Sequence, residues 1–246
     1  MLMRIATALL LLAGVGCAGA RSVHTPSTGS LLIVLAHGDD PISIAPLTAR
    51  ATSEGHRVHY ALFTGVQNAA LAREDSPERA ELRCAARALG VQEPLVMSGP
   101  AGDGPEAVTA VSAKLREWME QVRPDVVITW GPDGLTGHPR HVMVGNVTTR
   151  IFQQQRLLSH RPRKLYYIAY PESRFPDPRV PTGATANIDG PFGTVTDAFI
   201  TTRVDGKRYA DQVRTAIACH TLTFEPHESC VTAAFRVRYA RRWRRK

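Results

Sequence analysis

The sequence predicts an α/β protein, a Rossmann-like three-layer sandwich with a mostly parallel sheet and its site at the C-terminal ends of the strands. Three observations lead there. Strand-like and helix-like segments alternate along the chain, which is the order that winds a parallel sheet. Leu31–Ala36 is an unbroken apolar run and Asp125–Trp130 a second buried-type strand, as expected of strands covered on both faces. Prolines stand where helices open, at Pro41, Pro77, Pro105 and Pro139.

In order, Leu31–Ala36 is the first strand and Pro41 starts a helix reaching about Glu54. Arg57–Thr64 is the second strand. Ser76-Pro77-Glu78 opens a helix whose apolar face reads as Ala80, Cys84 and Ala88 with Leu89, capped by Gly90. Pro94–Met97 is a short strand, Pro105–Val122 a long helix and Asp125–Trp130 a strand. His138 or Pro139 begins a helix to about Gln155, and Leu165–Ala169 is the last strand. Pro171–Pro191, rich in Pro and Gly, is long enough to be a functional loop. Lys207–His220 reads as the final helix, with Tyr209, Val213, Ile217 and His220 on one face.

With 246 residues the chain buries a full core without metal or disulfide. Its net charge of +8 is unevenly placed. The last eleven residues, 236–246, hold seven Lys/Arg and no acid, whereas Arg21–Phe235 is neutral overall. A neutral body with a basic tail lacks the broad cationic face that nucleic-acid backbones require. The tail, with Tyr239 and Trp243, reads as a solvated basic end; weak adhesion to anionic polymers or lipid is the other reading.

Residues 1–20 read as an export signal: Arg4 is a short positive region, and Ile5–Val15 is an apolar stretch too short to span a bilayer comfortably. Two processing sites compete. Ala18-Gly19-Ala20 fits cleavage before Arg21, and Gly14-Val15-Gly16-Cys17 fits a lipoprotein site with a lipid anchor on Cys17. The expected location is therefore outside the cytosol, as a periplasmic, membrane-anchored or secreted protein. Residues 21–30 form a linker, 31–235 the α/β domain and 236–246 the tail. In such a compartment Cys219 and Cys230 are expected to form a disulfide, while Cys84 reads as buried and inert.

Two loop-to-helix junctions carry unusual chemistry. The first strand ends in Ala36-His37-Gly38-Asp39-Asp40, and the Asp125–Trp130 strand leads to His138-Pro139-Arg140-His141. Imidazole and carboxylate are the ligand set of a catalytic zinc. His37 with Asp40, and His138 with His141, are each three residues apart, so both pairs can turn to one side. If three of these groups hold a divalent ion, the remaining carboxylate and imidazole are free for proton work. Taken alone, the first motif could be a helix start with a capping aspartate, and the second a surface pair of histidines. Together they favour a metal centre.

These residues resemble the zinc-dependent N-deacetylases of the LmbE/PIG-L family, whose hallmarks are an Ala-His-Pro-Asp-Asp loop and a later Gly-His-Pro-Asp-His loop. The resemblance runs from about Leu31 to about Leu222. It includes Glu81, Ala85 and Leu89-Gly90 on one helix, Arg123-Pro124-Asp125-Val126-Val127, and Cys219-His220-Thr221. It implies zinc, or another divalent metal, on His37, Asp40 and His141, with Asp39 as general base and His138 as the electrophilic, transition-state-stabilising histidine. Asp103 falls where the family has an aspartate that contacts substrate hydroxyls. The implied activity is removal of an N-acyl group, acetyl above all, from glucosamine-type compounds.

The sequence departs from the family at three places. Gly38 replaces a proline, Pro41 stands where an acid is common, and Arg140 replaces the aspartate between the two histidines. Arg140 is expected either to alter the pH dependence or to narrow the activity, and to pair with an acidic substrate group. The family's substrate-contacting arginine aligns nearer Glu78 than Arg79, so that role is not carried over. His220 reads as a packed core histidine or a support for a ligand, Asp133 as a turn residue, and Trp130 as pocket lining or core. The substrate is then an exported glycan, glycolipid or glycoconjugate; alternatives are a sugar-binding member without catalysis and an amidase for another amide. The sequence is silent on oligomeric state.

Overall fold

The computed structural model describes residues 28–171, 173 and 194–222. The export signal with Cys17, most of the linker, nearly all of the Pro171–Pro191 loop, Cys230 and the basic tail lie outside the described residues. The elements are β1 (Ser30–Leu35), α1 (Pro41–Ser53), β2 (Arg57–Thr64), α2 (Pro77–Ala88), β3 (Leu95–Ser98), α3 (Pro105–Val122), β4 (Val126–Trp130), α4 (Pro139–Gln153), β5 (Lys164–Ile168), the short β6 (Tyr170–Pro171) and β7 (Thr194–Val195), and α5 (Ala210–Ala218). Each expected strand is present within a residue or two. The expected last helix is split: Lys207–Tyr209 is a 3₁₀ turn and α5 stops two residues before His220.

Five strands pair in parallel in the order β3-β2-β1-β4-β5. In the register, Ile33 of β1 stands beside Tyr60 of β2 and Ile128 of β4. Successive side chains of a strand face opposite ways, and both faces here are apolar. Ile33, Leu35, Tyr60, Leu62 and Trp130 face α1, α2 and α5, meeting Ala45, Leu82, Ala86 and Val213. Leu32, Val34, Phe63 and Val127 face α3 and α4, meeting Val111, Leu115, Val144 and Ile151. These layers form the expected three-layer sandwich.

The strand order reverses between β1 and β4, which lead to opposite sides of the sheet. That reversal opens a crevice beyond their carboxyl ends. Both chemistry-bearing loops leave the sheet at this point.

Two expectations are corrected. The buried face of α2 is Leu82, Ala85 and Ala86, continued by Leu89, rather than Ala80, Cys84 and Ala88. Both stripes have helical spacing and run into Leu89, which is buried as expected, and only the first also carries Leu82 to reach the core. Cys84 is accordingly exposed. It is bonded to Cys219 at the end of α5, 135 residues away in sequence. The pairing expected between Cys219 and Cys230 is replaced by one that joins two helices packed side by side.

Candidate active site

The β1–α1 junction places the first set of side chains. Asp40 immediately precedes α1, yet its side chain does not cap the helix. It turns back instead: Oδ2 accepts hydrogen bonds from the Ala36 and His37 backbone N–H groups, both at 2.8 Å. Its other oxygen, Oδ1, lies 3.6 Å from His37 Nδ1 and 3.2 Å from His141 Nε2. The capping alternative for this aspartate is thereby excluded.

The β4–α4 loop places the second set. It coils through positive φ at Gly134, Leu135 and Gly137, the leucine held there while buried. This coil brings the Gly134 carbonyl 3.0 Å from His141 Nδ1 and the Thr136 hydroxyl 3.3 Å from it. A proton on Nδ1 donated to that carbonyl leaves Nε2 with its lone pair facing Asp40 and His37. The Trp130 indole stacks on the His141 ring at 4.3 Å with planes 7° apart. Trp130 is thus core and a rigid backing for His141 at once. Gly145, one turn further along α4, has no room for a side chain: a Cβ there would stand 2.7 Å from the Trp130 carbonyl oxygen. This contact seats α4 against the end of β4.

His37 Nδ1 and His141 Nε2 are 3.0 Å apart. With Asp40 Oδ1 they form a triangle with edges of 3.0, 3.2 and 3.6 Å. The point equidistant from all three atoms lies about 1.9 Å from each, close to the ~2.0–2.2 Å bonds zinc makes to nitrogen and carboxylate oxygen. The donor set therefore fits a divalent ion. Two overlapping groups have their donor atoms within 4.8 Å of one another, His37 with His138 and His141, and His37 with Asp39 and Asp40. The triangle draws on both.

The electrostatics follow from crowding. Burial works against charge on Asp40, but His141 and His37 outweigh it and hold the carboxyl far below the usual range. Burial would lower His37, yet its hydrogen bond and charge contact with Asp40 raise it. Asp39 is pushed up by burial and then by the charge of Asp40, which leaves it the more basic of the two carboxylates. His138 is lowered by burial and by the neighbouring His37 and His141. It caps α4, its Nδ1 accepting from the Arg140 backbone N–H at 3.1 Å. In the neutral ring the proton then sits on Nε2. The His138 and His37 rings meet edge to face at 4.6 Å.

All five residues singled out from the two motifs therefore meet at one rim. Arg140 does not stand as expected. Arg140 is 1% exposed, and its Nε lies 2.9 Å from Asp103 Oδ1, so the expected pairing with an acidic substrate group is replaced by one with the protein's own carboxylate. Arg79 is buried too, and it donates to the Pro94 carbonyl and pairs with Glu74 and Glu93. His220 is buried beside Glu81. Asp133 is an exposed turn residue whose carbonyl accepts from Gly137 N–H. Gly134, Thr136 and Gly145 carried no recognised sequence signal, because a backbone carbonyl and a close approach are products of the folded loop.

Comparison with known proteins places the chain among relatives. Residues 32–152 match the family model described as PIG-L, GlcNAc-PI de-N-acetylase. A 1D-myo-inositol 2-acetamido-2-deoxy-alpha-D-glucopyranoside deacetylase of Acidothermus cellulolyticus is 30% identical, covering 78% of this chain and 78% of its own. Its counterpart in Thermobifida fusca is 29% identical over 77% and 82%. Among solved structures, a conserved protein of Thermus thermophilus shares the fold at a TM-score of 0.59 and 17% identity, over 88% of this chain and 90% of that one. The N,N'-diacetylchitobiose deacetylase of Pyrococcus horikoshii does so at 0.55 and 17%, over 81% and 72%. The sheet order, the two motifs meeting at its switch point and these relationships together show that the chain belongs to the PIG-L/LmbE family.

Proposed function

We propose that this protein is a divalent-metal-dependent hydrolase, with zinc as the expected ion, that removes the acetyl group from the nitrogen of an N-acetylglucosamine-containing compound. The observation that carries this reading is the triangle of His37 Nδ1, Asp40 Oδ1 and His141 Nε2 with Asp39 and His138 on either side of it. The family membership and the named activities of the relatives support the substrate class.

An ion held by those three residues would supply a Lewis acid and bring a water's pKa down toward about 7. Asp39, the more basic carboxylate, takes a proton from the attacking water. The water oxygen adds to the acetyl carbonyl carbon, and His138 Nε2–H donates to the oxygen that becomes negative. The carbon–nitrogen bond then breaks, the nitrogen takes up the proton, and acetate and the free amine leave. Asp40 stays ionised throughout, because two backbone N–H groups and two imidazoles favour its charge.

The disulfide and the first twenty residues support an exported protein, since disulfides persist in oxidising compartments. The substrate is then an exported glycan, glycolipid or glycoconjugate, reached by a free protein or by one anchored through Cys17. The test is acetate release from a panel of N-acetylglucosaminides, including the inositol glycoside, by zinc-loaded full-length protein. Release that stops with chelator and returns with metal is expected. Metal bound at one ion per chain with no acetate released from any member would overturn the reading and leave a sugar-binding member without catalysis or an amidase for another amide. The mass of the mature N-terminal peptide decides between cleavage before Arg21 and lipidation at Cys17.

A further inference from the structure

Arg140 stands where the family carries an aspartate, and its side chain has a task of its own. It emerges from the first turn of α4, between His138 and His141, and reaches across to residues 99–104, the loop between β3 and α3. Nη2 donates to the Gly102 carbonyl at 2.6 Å, and Nε lies 2.9 Å from Asp103 Oδ1. The loop has little else to hold it. Among the described residues, its backbone bonds lie only at its ends, from Gly99 N–H to the Thr64 carbonyl and from Val108 N–H to the Gly104 carbonyl. Gly102 adopts φ +69°, and a side chain there would meet nothing within 4 Å. Asp103 does not cap α3; Gly104 occupies that position without a side-chain bond. Three glycines in six residues make a segment with much conformational freedom to lose, and one buried guanidinium removes it.

We propose that Arg140 is a positioning residue that clamps the 99–104 loop to the start of α4 and thereby holds in place Asp103, the aspartate that the family resemblance assigns to a hydroxyl of the sugar. Two observations carry this: the two-point contact of one fully buried arginine with a loop otherwise unheld at its middle, and the shared origin of that arginine and the two histidines in one helical turn. The planar fork of arginine suits simultaneous contact with a carbonyl and a carboxylate, and lysine lacks it. Asp103 is a quarter exposed while Oδ1 is buried, so the clamp leaves the residue reachable from solvent. The family's aspartate at position 140 cannot make this contact, so the clamp belongs to this chain's own version of the rim.

The sugar-orienting part of the proposal rests on the function proposed above; the clamp itself does not. The experiment compares full-length, zinc-loaded wild type with Arg140→Lys, Arg140→Met and Asp103→Asn. It reads amide hydrogen exchange at residues 99–104, bound zinc, and KM and kcat on the N-acetylglucosaminide that wild type hydrolyses. In Arg140→Met the loop is expected to exchange at least tenfold faster with zinc retained, and Arg140→Lys is expected not to restore protection. KM is expected to rise about tenfold while kcat changes less, a split that general loss of structure would not give. Asp103→Asn breaks the pair from the loop side and remains informative if Arg140→Met fails to fold. Unchanged loop exchange in both Arg140→Lys and Asp103→Asn would overturn the clamp. A fall in kcat at constant KM would overturn the sugar-orienting role. If wild type hydrolyses no N-acetyl sugar, the exchange measurement still decides the clamp on its own.

Discussion

His141 receives its position from four neighbours. The Gly134 carbonyl fixes its tautomer, Trp130 fixes its plane, and Asp40 with His37 faces its free nitrogen. Replacing His141 by alanine removes one corner of the triangle, and bound zinc measured by elemental analysis should fall from about one per chain to near zero. Asp39→Asn removes a proton acceptor while leaving all three corners in place. It should keep its zinc and lose about 10²–10⁴-fold in kcat, the usual worth of a general base. An Asp39→Asn protein with wild-type kcat would remove Asp39 from its role. The spacing of His37, Asp39 and Asp40, and of His138 and His141, is local chemistry and could be read from the sequence. The partner of Arg140 could not, because it lies 37 residues away on a loop whose path only the folded chain defines.

At the scale of elements, α4 is set by how closely it approaches β4. Gly145 is the contact point, with backbone oxygens of Trp130 and Gly131 where a side chain would stand. Gly145→Ala should push the helix outward and move His141 off the triangle. Overpacking of this kind costs about 1–3 kcal/mol, so the variant should melt lower and bind zinc at least tenfold more weakly. A variant with unchanged zinc affinity would show that α4 tolerates the shift. Helix α2 teaches a complementary lesson. Its alanine-rich sequence offers two stripes at helical spacing, and the choice between them depends on which meets the sheet and α5. That choice turned Cys84 outward, within reach of Cys219. Strands were easier to place, because β1, β2 and β4 are apolar on both faces and admit little ambiguity.

For the molecule as a whole, the strand order matters more than any single contact. β1 and β4 are neighbours in the sheet although about a hundred residues separate them, and their junctions face one crevice. The site is therefore formed by long-range pairing and completes only when the sheet is assembled. The disulfide acts at the same scale. Closing a loop of this length restricts the unfolded chain by up to about 5 kcal/mol in the chain-entropy account. The Cys84→Ser/Cys219→Ser protein should show a clearly lower midpoint in urea, with a steeper slope because the uncross-linked unfolded chain exposes more surface, and with zinc content unaffected, since neither cysteine touches the donor cluster. An equal midpoint would mean that the bond adds nothing to stability.

The bond between α2 and α5 also bears on how the protein must be made. Cys84 lies on the surface, open to thiols in solution. Material from a reducing bacterial cytosol would begin as the dithiol form, and incomplete oxidation during purification would yield a mixture of dithiol and bonded species. Batches prepared that way would disagree in thermal behaviour while agreeing in metal content, and brief air oxidation before use would bring them together.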